Sequence, residues 1–420
     1  MQRIFKSCVL VVIMCIFFTN YVFGANKIEN VQHDIKVEDV SMRYLAAWTA
    51  LAVYNDKLSL LARNILQENG WQIDIINKEI KKSDIKLLLA EKQLDNEEIY
   101  FLSISGTVSW KDIQTDLAVE SVAFSEFDDK SLVHKGFMQY VQDGFFTEKI
   151  NEDKTLGEDL VEKLKADKSR KLYITGHSLG GAVAELLAAR LSDMGINKNQ
   201  LKVITFGAPA VGNQYFVDKY ATKLDLTRIT MKGDPVKNLT QIANSKFVQF
   251  DTNIQWELPL IEKDKFAHNM LLYFDKAMRD YYDVTQLYSR ENTSLLNEVD
   301  YVISIDIDFP EEIYNEEKYI RLVLMDKLKN NGKSYLFIEG NQEQAFVKAK
   351  NLNVKNVVIY KFGATKQREN TSNKRYYIDE MKYVYDKNGN LINGFNAGTD
   401  TNEMTVVQAA LYTDYKIDDM

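Results

Sequence analysis

The residues best able to do chemistry are Gly176-His177-Ser178-Leu179-Gly180-Gly181. The apolar run 171–175 before them reads as a buried strand, and 182–190 after them is rich in strong helix formers. A strand, a G-x-S-x-G turn and a helix make a nucleophile elbow, which carries a serine hydroxyl at the carboxyl end of a sheet. The pattern predicts a strained, exposed Ser178. Gly176 and Gly180 must stay small because strand and helix backbones pass close to them. The N-terminus of the helix favours any negative charge that develops beside the serine.

A serine hydroxyl needs an adjacent base. The chain has four histidines, His33, His134, His177 and His268. His177 belongs to the elbow itself and is expected to point away from a base position, and His33 lies in a polar N-terminal segment. In the elbow's fold class the triad runs serine, acid, histidine along the chain. His268 follows Ser178 and His134 does not, so His268 is the expected general base. The acid must lie between them, where Asp218, Asp225, Asp234, Asp251 and Asp264 are in range. Asp234 sits just after a buried strand in a Gly-Asp-Pro-Val turn, and Asp251 is the runner-up. For the oxyanion, Leu179 offers its backbone N–H, and the Gly106-Thr107 loop after an earlier strand offers a second donor at Thr107.

These residues need a sheet to hold them. Strands are expected over 71–76, 85–90, 98–105, 171–175, 202–206 and 226–231, and helices over 37–67, 136–146, 156–164 and after the elbow. Their alternation predicts an α/β fold with a mainly parallel sheet and helices on both faces. Ser178 and Asp234 then both fall beyond strand carboxyl ends. Past about residue 290 the texture changes to that of a separate α+β module. Its expected strands are 302–309, 335–339, 356–362, 377–385, 391–395 and 404–412, with a hairpin at Lys387-Asn388-Gly389. No convincing catalytic cluster occurs there. The organisation expected is a leader over 1–24, a catalytic domain over 25–290 and an accessory module over 291–420.

The leader reading rests on Arg3 and Lys6, an apolar run over 8–18 and small residues near 24–25, the layout of a secretory signal peptide. The rival is an uncleaved membrane anchor. Cleavage after Gly24 removes two basic residues, taking the net charge from −8 to −10. It also removes both cysteines, Cys8 and Cys15, and with them any disulfide or thiolate site. An acidic chain without a basic stripe argues against nucleic acid as a partner. Zinc-helix, P-loop and dinucleotide fingerprints are absent, and serine catalysis needs no metal or organic cofactor.

Taken together, the motifs resemble the class 3 lipase family, the fungal-lipase-like α/β-hydrolases. The matching pieces, in family order, are Gly106-Thr107, Trp110, Asp116-Leu117, His134-Lys135-Gly136-Phe137, 176–181, 205–209, Gly233-Asp234-Pro235-Val236 and His268. The resemblance covers about residues 40–290. It implies ester hydrolysis through Ser178, Asp234 and His268, with Thr107 and Leu179 as oxyanion donors; an acylglycerol or related lipid ester is the expected substrate, and the choice between a lipase at a lipid interface and a soluble esterase stays open. It also makes 108–116 the counterpart of a lid, with Trp110 and Ile113 on one face of a short helix. Ser105 stands where the family often has arginine, and the lid segment is short and mixed in character. The rival readings are a phospholipase or polysaccharide-acyl esterase on the same fold, and a surface binding protein with a vestigial hydrolase domain. His134 is read as structural, packing near the elbow.

Overall fold

The computed structural model describes residues 36–80, 83–94, 96–106, 120–147, 149, 153–289, 299–329, 334–338, 341–367 and 375–418. The expected leader, His33, Thr107 and the lid segment 108–116 lie outside the described residues.

Helix α1 covers 36–52 and α2 covers Lys57–Glu68. The sequence pattern reads as one helix here. The chain instead breaks at 53–56, because Asp56 caps α2 and its carboxylate accepts from Ser59 N at 2.8 Å. Strands β1 (Gln72–Ile80), β2 (Ser83–Leu94) and β3 (Glu97–Ile104) form an antiparallel meander. A hairpin of β4 (Ser121–Ser125) and β5 (Asp128–His134) leads into α3 (Lys135–Val141), α4 (Leu156–Ala166) and β6 (Lys171–His177). Beyond the elbow come α5 (Leu179–Asp193), β7 (Leu201–Phe206), β8 (Gly212–Asn213), α6 (Gln214–Tyr220) and β9 (Asp225–Met231). Then follow α7 (Leu239–Ala243), β10 (Phe247–Val248), β11 (Asn253–Trp256) and α8 (Met270–Ser289).

The central sheet has seven strands in the order β1-β2-β3-β6-β7-β9-β11, and β3 to β11 run parallel. Alternation along β3 splits two cores: Ile99 and Phe101 face α1, α2 and α8, whereas Tyr100, Leu102 and Ile104 face α3 to α6. This is the α/β-hydrolase arrangement, with helices on both faces of a mainly parallel sheet. Helix α5 runs through the second core with residues 180–189 all buried, which its glycines and alanines allow by letting backbones approach closely.

The remaining chain forms β12 (Tyr301–Asp308), α9 (Glu317–Lys329), β13 (Tyr335–Ile338), α10 (Gln342–Asn351), β14 (Asn356–Lys366), β15 (Tyr376–Asp386), β16 (Leu391–Asp400) and α11 (Val406–Asp418). Its five-stranded sheet has the order β13-β12-β14-β15-β16. The strand expected over 404–412 is helix α11. Thr405 and Gln408 form a reciprocal cap there, Gln408 N donating to Thr405 Oγ1 at 3.3 Å and Thr405 N to Gln408 Oε1 at 3.0 Å. Burial of 406–411 on every side erased the helical period that the sequence pattern needs. This sheet and α11 share one apolar core with α1, α2 and α8.

Candidate active site

Ser178 leaves β6 with φ 58 and ψ −126, one of two described non-glycine residues at positive φ. The strain expected from the turn is present. The exposure is not: Ser178 is 1% exposed, because the Gly106 segment closes over it. A Cβ on Gly106 would stand 2.4 Å from His177 O and 3.3 Å from Ser178 Cβ. Gly176 and Gly180 are glycine for the reason the sequence suggests. A Cβ on Gly176 would meet the Gly180 carbonyl carbon at 2.4 Å, and one on Gly180 would meet Ile104 O at 2.1 Å. Leu179 opens α5, so its N–H has no partner within the helix.

Asp234 follows β9 through Gly233, whose φ is +87. Its Oδ1 accepts from Val236 N at 2.8 Å, which locks the turn. Its Oδ2 accepts from His268 Nδ1 at 2.8 Å and from the Tyr273 hydroxyl at 2.5 Å. Asp234 and His268 are 2% and 3% exposed. With the proton on Nδ1 held by the carboxylate, Nε2 of His268 carries the lone pair of a base. His268 Nε2 and Ser178 Oγ are both buried, and neither has a hydrogen-bond partner among the described residues.

The runner-up acid stands elsewhere. Asp251 is exposed and precedes β11, at the amino end of the parallel strands, whereas Asp234 follows the carboxyl end of β9. Asp218 bonds Gln214 on the surface, Asp225 pairs with Lys202, and Asp264 is exposed. His134 caps α3 by accepting from Phe137 N at 3.3 Å, and its ring stacks on Phe137 with centroids 4.0 Å apart. Burial pulls its imidazole down to about 4, so it stays neutral.

Four supporting residues, Tyr54, Tyr273, Glu185 and Arg228, carry no signal in the sequence. Tyr273, from α8, accepts from the Met231 N–H at 2.9 Å and donates its own O–H to Asp234, and burial and then that carboxylate hold its hydroxyl far above the usual phenol range. His177 does not stand clear of the site. Its Nε2–H donates to His268 O at 2.7 Å and its ring packs 4.4 Å from the His268 ring. Burial, with the neighbouring His268, holds it well below the usual imidazole range and therefore neutral. Its Nδ1 faces the Tyr54 hydroxyl at 3.4 Å, and that oxygen accepts from Gly106 N at 3.0 Å. Tyr54 and His177 thus tie the Gly106 loop to the backbone of His268. Behind the elbow, buried Glu185 of α5 lies 3.5 Å from the Arg228 guanidinium of β9. Only a long-range fold brings these partners together, which is why spacing along the chain cannot reveal them. Exposed Phe266 stands beside His268 with centroids 6.1 Å apart and gives this end of the sheet an apolar edge.

A cavity of about 520 Å3 lined by Tyr44, Trp48, Trp71 and Tyr282 lies near the amino end of β3. It holds none of the residues above.

Residues 101–243 match the family model described as lipase (class 3). The match covers about a third of the chain, and over that segment the chain is similar to the class 3 lipase family. Curated relatives of the lipase segment include a Caenorhabditis elegans lipase, 44% identical over 70 residues, or 16% of this chain and 20% of the relative. Toxin TseL of Vibrio cholerae is 37% identical over 109 residues, covering 26% of this chain and 15% of the toxin. The lipase of Rhizomucor miehei is 30% identical over 152 residues, covering 36% of this chain and 39% of that lipase. The chain thus spans less than half the length of each. A solved triacylglycerol lipase, whose title describes a serine protease triad at its catalytic centre, aligns over 52% of this chain and 79% of its own at 23% identity and a TM-score of 0.42.

Proposed function

We propose that the protein hydrolyses carboxylic esters, acylglycerols or related lipid esters, through Ser178, His268 and Asp234. The observation that carries this reading is the 2.8 Å bond from His268 Nδ1 to Asp234, which leaves His268 Nε2, like the hydroxyl of the strained Ser178, buried with no hydrogen-bond partner among the described residues. In the reaction, His268 Nε2 takes the Ser178 proton as Oγ attacks the ester carbonyl. The backbone N–H of Leu179 and a donor from Thr107 meet the oxyanion. The imidazolium returns its proton to the leaving alcohol, and water activated by the same histidine then cleaves the acyl-enzyme. Tyr273 and His177 position Asp234 and His268. The apolar edge at Phe266 fits a lipid substrate. We further propose that 25–290 is the catalytic unit, that 291–420 is an appended module, and that 1–24 exports the chain. Among the described residues no helix is long and apolar enough to cross a membrane.

Fluorophosphonate labelling tests the mechanism: the native chain should be labelled at Ser178 and Ser178→Ala should not. A folded native chain that stays unlabelled ends the hydrolase reading. Rates on a series of short- and long-chain esters, below and above their solubility limits, test the substrate class. Activity confined to short soluble esters would defeat the lipase reading.

A further inference from the structure

The far sheet presents a face built unlike the rest of the surface. On one side, Tyr376, Ile378 and Glu380 of β15 are buried against the shared core and α11. On the other, Tyr377, Asp379, Met381, Tyr383 and Tyr385 alternate outward. Helix α10 covers only one end of that outer side, where Phe346 packs on Tyr385 with centroids 5.2 Å apart. Past Tyr383 no described element lies over it.

Three glycines on the strands flanking β15 each lie beneath a β15 side chain, two on the uncovered part and one beneath Tyr383 at its edge, where that half-buried ring also packs against the apolar cluster under α10. A Cβ on Gly398 would meet the Tyr377 hydroxyl at 2.3 Å and its Cζ at 2.6 Å, so that ring lies flat on the β16 backbone. A Cβ on Gly394 would stand 3.2 Å from Cδ1 of Tyr383. A Cβ on Gly363 of β14 would stand 2.9 Å from Oδ1 of Asp379. Missing side chains beneath the rings turn them from upright to flat, with one face on backbone and the other outward. Tyr377 and Met381 remain 42% and 40% exposed. The Tyr383 hydroxyl is spent on Met381 Sδ at 3.2 Å, which leaves its ring as the contact surface. Asp379 lies between the rings, and its carboxylate makes no hydrogen bond or ion pair among the described residues. Exposed Asp306 and Asn396 stand in the row of Lys361 and Met381, and exposed Asp308 stands in the row of Gly363 and Asp379.

We propose that this face binds a polysaccharide of neutral sugars. Flat rings with apolar outer faces suit the C–H faces of pyranose rings, and free carboxylate and amide oxygens beside them suit the equatorial hydroxyls. Tyr377 and Tyr383 are six residues apart on one strand, roughly 20 Å, so the platform matches a chain of sugars rather than one. Charge decides against other polymers. The face is acidic, with aspartates outnumbering its lysine, so it repels nucleic acid and anionic lipid. The site does not depend on the ester-hydrolase reading. Its role is to hold the protein on a glycan surface while the remote serine site acts.

The test is depletion of the full-length protein from solution by insoluble cellulose, chitin, β-1,3-glucan and xylan, with anionic phospholipid vesicles as the contrast. At least one polysaccharide should retain the protein, and its soluble oligosaccharides should compete. Tyr377→Ala should weaken retention about tenfold, the loss of one stacked ring, while Tyr377→Phe retains it. Asp379→Ala, which breaks no internal contact, should weaken it while the melting temperature stays unchanged. Ester hydrolysis should be unaltered in all three variants. Retention by none of the polysaccharides overturns the proposal, as does native-like retention of Tyr377→Ala and Asp379→Ala. Retention by the vesicles alone, or a concentration-dependent dimer abolished by Tyr377→Ala, overturns it in favour of a membrane or a second copy of the chain.

Discussion

Gly207 is the position where backbone conformation and catalytic geometry can be separated by experiment. It leaves β7 with φ +61, and a Cβ built on it stands 2.8 Å from Asp234 Oδ2, 3.0 Å from the Tyr273 hydroxyl and 3.1 Å from His268 Nδ1. Gly207→Ala therefore does two things. It puts alanine in the left-handed region, at about 1–2 kcal/mol, offset by roughly 0.4–1 kcal/mol from a stiffer unfolded chain, for a net loss near 1 kcal/mol. It also drives a methyl group against Asp234, Tyr273 and His268, at the proposed triad. Ordinary contact begins at 3.4 Å, so the carboxylate must retreat by about 0.6 Å. If a misplacement of 1 Å costs about 10²-fold, this one costs roughly 10- to 20-fold in kcat/KM. Gly233→Ala is the matched control. Its φ is +87, and its Cβ would meet nothing nearer than Ala267 Cβ at 3.9 Å. It should lose similar stability and keep activity within about twofold. Urea melts and kcat/KM on p-nitrophenyl butyrate read both quantities. Equal activity in the two variants, whether both high or both low, refutes the idea that the small volume at Gly207 sets the triad's geometry.

The acid assignment separates in the same assay, because Asp234→Asn should cut kcat by about 10⁴-fold and Asp251→Asn should leave it unchanged. Tyr273→Phe leaves the Met231 N–H unpaired and takes a donor from Asp234, so melts should show a loss of about 2–3 kcal/mol. Loosening Asp234 should also lower kcat with KM little changed; an unchanged kcat refutes a role through Asp234. Burial raises the Glu185 carboxyl from 4.5 to about 7. A carboxyl raised on folding supports the fold below pH 4.5 and weakens it as pH climbs through 7, here by roughly 3 kcal/mol. Glu185→Gln should flatten that decline, and a native stability curve level between pH 5 and 8 counts against it.

The elbow was legible because Gly176 and Gly180 stand at fixed offsets from Ser178, between a strand pattern and a helix pattern. His268 was legible because histidine is scarce, and Asp234 because a turn after a buried strand puts it at the sheet's carboxyl end. Tyr54, Tyr273 and Arg228 were not legible. Each acts on a partner far away in sequence, and a buried tyrosine in an apolar helix looks like core. The exposure expected of Ser178 failed for a related reason: the cover comes from the Gly106 loop, which the elbow's own sequence does not encode. In the far module the hairpin announced itself through Asn388-Gly389, but α9 and α10 were missed and α11 was read as a strand because its apolar residues face protein on all sides.

The apolar core shared by α1, α2, α8, the far sheet and α11 bears on how the chain is made. Asn64 of α2 bonds the Tyr415 hydroxyl of α11, a pairing across 351 residues. During synthesis the first helices emerge long before the last one that covers them. The central sheet can cover part of them early, but the core they share with α11 is completed only when the ribosome has released almost the whole chain. A chain ending at residue 290 would carry the proposed catalytic residues but leave bare the apolar surface that α11 and the far sheet cover, so it should be less soluble than the full chain.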